Sequence, residues 1–138
     1  MTKATILRPG KQASFDRGAG IRTTPMVTRA IGATHFINGI TRFDPGASVP
    51  LHFHNCDESV TLLSGEAIAE IAGRDHPVSL YDTTFIPAGV HHRFINASSS
   101  ESMTIMWIYA SVDADRTIVA TGETRRIDEE HSLIGQLR

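Results

Sequence analysis

His52, His54 and Glu58 lie in the run Gly46-Ala-Ser-Val-Pro-Leu-His52-Phe-His54-Asn-Cys-Asp-Glu58-Ser-Val-Thr-Leu-Leu-Ser-Gly65, and His92 follows in Pro87-Ala-Gly89-Val-His-His92-Arg-Phe-Ile-Asn96. Three imidazoles and one carboxylate form a borderline nitrogen and oxygen donor set. It suits Fe(II), Mn(II), Ni(II), Co(II), Cu(II) or Zn(II), and spacing does not choose among them. An octahedral ion held by four such groups keeps two positions open for water, dioxygen or a bidentate substrate, a catalytic arrangement rather than a closed structural one. Strand residues two apart share a face roughly 6.6 Å from each other, so His52 and His54 converge while Phe53 points away. Glu58 has their parity, but on a straight strand it would stand roughly 13 Å beyond His54. The chain must therefore bend between them, and Asn55-Cys56-Asp57 is a turn-prone tripeptide in the required place. Gly65 then allows a hairpin that returns the chain, and His92 comes from a neighbouring strand.

The elements that would position these groups read as strands. Turn signals recur at Pro9-Gly10, Gly18-Ala-Gly20, Asp44-Pro45-Gly46, Ser64-Gly65, Gly73-Arg-Asp75, Pro87-Ala-Gly89 and Asn96-Ala-Ser-Ser-Ser100. Between them, 34–43, 59–63, 67–72, 83–86, 93–95 and 102–110 carry strand composition. No helical period longer than two turns interrupts them, which predicts an all-β antiparallel sandwich or barrel. Residues 21–30 are a further strand candidate, placed against another subunit. Val112-Asp-Ala-Asp-Arg116 reads as a turn, 117–121 as a last strand, and 125–138 as a short helix or a loosely attached tail.

Composition bounds the function classes. At 138 residues and 15.0 kDa, one domain (1–138) is the expectation, with a core at about 35–110 and a tail at about 111–138. A formal charge of −2 gives no basic footprint for nucleic acid. Cys56 is the only cysteine, so no intrachain disulfide forms, which suits a reducing compartment. The first ten residues carry no apolar stretch of signal-peptide length, and no run approaches a membrane span. The expectation is a soluble cytoplasmic protein with neither nucleic-acid nor membrane partners.

The spacing of the candidate ligands resembles that of the cupin superfamily. Its first motif is Gly, five residues, His-x-His, three or four residues, Glu, six residues, Gly; Gly46, His52, His54, Glu58 and Gly65 match every fixed position. Its second is Gly, five residues, Pro-x-Gly, two residues, His, three residues, Asn; Pro87, Gly89, His92 and Asn96 match, and Tyr81 replaces the opening glycine. That departure falls on a turn, not on a ligand. The resemblance covers about residues 35–110. It implies a double-stranded β-helix, the jelly-roll cupin barrel, with one divalent ion per chain on His52, His54, Glu58 and His92. Both the Gly89 and the Asn96 spacings select His92 over His91. The resemblance also implies a homodimer paired through sheet edges, with 21–30 as a candidate exchanged strand.

Around that centre, Arg42, Thr61, Phe94, Met106 and Trp107 are candidates for lining the pocket, subject to strand register, since a one-residue slip turns each outward. An inward Arg42 could clamp a carboxylate substrate. Cys56 reads as a small buried filler. His35, His76 and His131 have no partner at ligand spacing. No separate general base stands out. The function expected is a small-molecule metalloenzyme of dioxygenase, isomerase or lyase type. The alternative is a non-catalytic cupin that binds or senses a small molecule or sugar.

Overall fold

The structure, a computed structural model, describes residues 2–131. It is built from strands, as the turn spacing predicts: β1 (Phe15–Gly18), β2 (Ile21–Pro25), β3 (Ile37–Phe43), β4 (His52–Phe53), β5 (Glu58–Ser64), β6 (Ala67–Ile71), β7 (Arg74–Val78), β8 (Thr83–Ile86), β9 (His92–Asn96), β10 (Met103–Tyr109), β11 (Asp115–Ile118) and β12 (Thr124–Arg126). They form two six-stranded sheets, ordered β1-β2-β3-β10-β5-β8 and β12-β11-β4-β9-β6-β7, and every pairing is antiparallel. This is the all-β jelly roll that the resemblance implies.

Alternation creates the core. In β10, Met103, Ile105, Trp107 and Tyr109 point inward, and in β5 so do Glu58, Val60 and Leu62. Ala67 and Ala69 of β6 and His92, Phe94 and Asn96 of β9 face them from the second sheet. Room for the indole is made by Gly39, where a Cβ would stand 2.3 Å from Trp107 Cζ2. Trp107 Nε1 donates to Thr41 Oγ1 at 2.8 Å, and that hydroxyl also bonds Thr23 Oγ1 at 2.9 Å, so the buried polar atoms of this layer are paired.

Asn96 clips the two sheets together. Its Nδ2 donates to the carbonyls of Phe43 (3.2 Å), Asp44 (3.1 Å) and Glu101 (2.8 Å), and its Oδ1 accepts from Ser98 N at 2.9 Å. One amide on β9 thus ties the end of β3 to the segment entering β10.

Several expectations are corrected. Gly65 makes no hairpin: β5 lies between β10 and β8, β6 between β9 and β7, so the turn is a corner between sheets. Its φ is +83°, and a Cβ there would stand 2.6 Å from Ser102 O, which excludes any other residue. Residues 74–75 lie in β7 and not in the turn, while β1 was not foreseen. Both are edge strands whose outer positions are exposed, and neither shows an apolar alternation. In β7 the edge position also tolerates Pro77. The 21–30 candidate ends as a strand at Pro25 and pairs with β1 and β3 of its own chain. Beyond 112, β11 starts at Asp115, β12 follows, and Asp128–His131 is a 3-10 turn. The rest of the 125–138 tail lies outside the described residues.

Tyr81, which stands where the motif has glycine, is left-handed with φ +67° and is 70% exposed. For an L-residue this conformation costs about 1–2 kcal/mol, while glycine loses more backbone entropy on folding. Tyr81→Gly is therefore expected to raise stability by about 1 kcal/mol. Urea unfolding checks this; a lower midpoint would mean that the exposed ring contributes more than the backbone strain costs.

Candidate metal centre

The four residues singled out by spacing meet inside the sandwich. His52 on β4 pairs across the ladder with His92 on β9, and His54 follows in the bend after β4. Glu58 opens β5 in the opposite sheet. All four are buried. The ring centroids of His52, His54 and His92 stand 4.5–5.1 Å apart, and one ring nitrogen from each lies within 4.8 Å of the others.

Each ring is anchored on its other side. His52 Nδ1 donates to Pro50 O at 2.6 Å, His54 Nδ1 to Asp115 O at 2.8 Å, and His92 Nδ1 to Val90 O at 2.8 Å. A carbonyl can only accept, so each Nδ1 carries a proton and Nε2 is the nitrogen left for the centre. The Asp115 carbonyl is itself held, because Asn55 Oδ1 accepts from Asp115 N at 2.9 Å and Asn55 Nδ2 donates to Asp113 O at 3.1 Å. The predicted bend thus has a second use: Asn55 fixes the loop that aims His54.

His92 Nε2 lies 2.8 Å from Glu58 Oε1. His54 Nε2 stands 3.5 Å from the same oxygen and is left buried without a hydrogen-bond partner. Burial pushes the Glu58 carboxyl up, but the adjacent His54 and His92 outweigh it and hold it well below the usual carboxylate range, so Glu58 is ionised. His52 is lowered well below the ordinary histidine value, first by burial and then by the positive charge of Arg116, so its ring is neutral. A neutral imidazole, an ionised carboxylate and an orphaned buried ring nitrogen are what a divalent cation requires, so the residues present fit one.

Of the predicted lining residues, Phe94 and Trp107 face the cavity. Arg42, Thr61 and Met106 do not. Arg42 is exposed between inward Thr41 and Phe43. Thr61 sits between inward Val60 and Leu62 and bonds Thr83 Oγ1 at 2.9 Å outside. Met106, between Ile105 and Trp107, packs on the outer face near Thr5, Leu7 and Met26. His91 is exposed and stacks on Phe53, with ring centroids 5.1 Å apart. Cys56 is half-buried in the bend; burial first pushes its thiol up to about 11, so it is a protonated filler.

Among the lining residues missed in the sequence, three are titratable: Arg17 on β1, Arg116 on β11 and Tyr109 on β10. Tyr109 has the parity of Trp107, and its ring lies 4.6 Å from that of His54. Burial, then the charge of Glu58, raises its phenol well above the ordinary tyrosine value, so it keeps its proton. Burial works against the charge on Arg116, but Glu130, Tyr109 and Glu58 outweigh it and raise the guanidinium above its usual value. Arg17 is lowered to about 10, by burial and then by the like charge of Arg116. Neither arginine stands in an apolar alternation, which is why sequence pattern did not reveal them.

The chain is similar to known proteins in the same region. No curated protein matches it. Among solved structures, the polyketide cyclase RemF from Streptomyces resistomycificus superposes with a TM-score of 0.72 at 18% identity, over 91% of this chain and 86% of that one. A sugar phosphate isomerase of the cupin superfamily from Silicibacter pomeroyi superposes with a TM-score of 0.68 at 19% identity, over 90% and 94%. A predicted oxalate decarboxylase from Thermotoga maritima gives 0.69 at 19% identity, over 78% and 99%. At these identities the likeness is one of fold. The Cupin domain family model matches residues 39–109, half of the chain, from inside β3 to the end of β10 and including all four residues of the centre. The protein belongs to the cupin family.

Proposed function

We propose that this cupin is a small-molecule metalloenzyme that holds one divalent ion on His52, His54, Glu58 and His92. The observation that carries the reading is the anchoring of all three Nδ1 atoms by backbone carbonyls, which leaves the Nε2 side of each ring for a shared ion beside an ionised Glu58. Such an ion would act as a Lewis acid on substrate oxygens and stabilise enolate-like charge. The chain's own groups supply the rest. Phe94 and Trp107 wall the cavity with apolar surface, and the Tyr109 phenol keeps a proton beside the centre. Glu58 serves first as a ligand, and no separate general base is assigned.

The reaction class is oxidative cleavage, isomerisation or elimination of a small oxygen-bearing substrate, and the identity of the ion divides these. The reading extends to a soluble cytoplasmic homodimer: β8 leaves one edge of the first sheet open, with Leu80, Tyr81 and Phe85 exposed beside it, a surface a second copy would cover.

Elemental analysis of protein purified without an affinity tag or added metal is the test. Close to one Fe per chain is expected for an oxygen-dependent enzyme, and one Mn, Ni or Zn for isomerase or lyase chemistry. No metal, with none taken up on reconstitution, would overturn the metalloenzyme reading in favour of a metal-independent binding module.

A further inference from the structure

The cavity beside His52 contains more positive charge than a metal centre needs. Arg17 and Arg116 come from strands of opposite sheets, β1 and β11, and meet at its wall. Both guanidiniums contact the same oxygen, Glu130 Oε2. Glu130 belongs to the 3-10 turn Asp128–His131, which is fastened by buried Ile127: Ile127 N donates to Ala114 O at 2.9 Å, and Glu130 N donates to Ile127 O at 3.1 Å. The backbone of this turn is therefore docked, and from it the Glu130 carboxylate reaches both guanidiniums.

Two features mark the contact as a ligand position rather than a finished ion pair. Arg116 meets Glu130 through Nη1, while its Nε is buried without a partner. A carboxylate not tied to this backbone could orient to engage Nε and an Nη together, the paired geometry that a guanidinium favours. The space left in the cavity is also only about 30 Å³, enough for a water or two and too little for a substrate. A ligand beside His52 would need more room and a partner for the two arginines of the wall, and the Glu130 carboxylate is the group that holds their charges now. The charges agree. Arg17 and Arg116 oppose Glu58 and Glu130; a divalent ion would add two positive charges, and an anionic ligand would offset them.

We propose that Arg17 and Arg116 form the anion subsite of this cavity, that they take the carboxylate of a small-molecule acid, and that Glu130 occupies the subsite in its absence as an internal, displaceable carboxylate. The proposal rests on the cavity being the substrate site, and it gives that site a substrate class: carboxylic acids with further oxygens directed toward the His52 side.

The test is calorimetric titration of metal-free protein with malonate, and with malonamide as its neutral counterpart. The same proteins are reconstituted separately for metal analysis, and their folding is checked by circular dichroism. Malonate is expected to bind and malonamide not. Glu130→Gln should tighten malonate by about tenfold or more, since a competitor that fills the subsite most of the time lowers the apparent affinity by the vacant fraction. Arg17→Gln should weaken it by at least about tenfold. Equal binding of the two probes, or a folded Glu130→Gln with unchanged malonate affinity, would overturn the proposal. Should Glu130→Gln fail to fold, wild type against Arg17→Gln decides it. Because malonate is read without metal, loss of the metal reading leaves the clamp standing, and loss of the clamp leaves the metal reading standing.

Discussion

His54→Ala is expected to give a folded sandwich that has lost its metal. The ring sits in the bend after β4 and takes no part in the β3-β10-β5 ladders that carry most of the core. Its removal frees the Asp115 carbonyl and empties the space against Tyr109, at a cost of about 1–3 kcal/mol. The effect on metal is far larger. Loss of an outer partner of a metal ligand lowers affinity by about 10–100-fold, and loss of a ligand itself should exceed the upper figure. Titration against a competing chelator measures this, with circular dichroism confirming the fold. His91→Ala is the control, expected to match wild type because its ring lies outside on Phe53. Wild-type metal affinity in His54→Ala would remove His54 from the centre.

The largest loss of stability is expected at Asn96. Three carbonyls and one N–H converge on a single buried side chain. Asn96→Ala removes these bonds, leaves the Ser98 N–H without its acceptor, and should cost about 2–4 kcal/mol. Asn96→Asp is the sharper experiment, since the shape is kept while the donors are lost. An ionised carboxylate would then face three carbonyls, and the expected cost is at least about 3 kcal/mol. Urea midpoints for both variants decide the matter. If Asp were tolerated within about 1 kcal/mol, the side chain would be filling space and not joining the sheets.

The centre was legible because its geometry follows from parity and one bend. His52 and His54 share a face two residues apart, and the Asn55-Cys56-Asp57 bend brings Glu58 across to the other sheet. The wall was less legible. In β3 the inward set includes Gly39 and Thr41 while Ile40 faces out, so hydrophobicity did not fix the register and Arg42 could be placed on either side. In β10, Met106 and Ile108 are apolar on the outer face, and part of that face is covered by N-terminal residues such as Thr5 and Leu7. Arg17 and Arg116 were invisible for another reason. Each is a cation on a short strand, and only the meeting of two distant segments with Glu130 gives it a buried role.

The division of the centre between sheets has a kinetic corollary. Glu58 stands on one layer, His52 and His92 on the other. An ion shared by them would rivet the two layers, and its escape would wait for them to breathe apart. Because parting the layers would break the bond to Glu58, the opening of the sandwich would itself be slowest for the ion that exchanges its ligands most slowly.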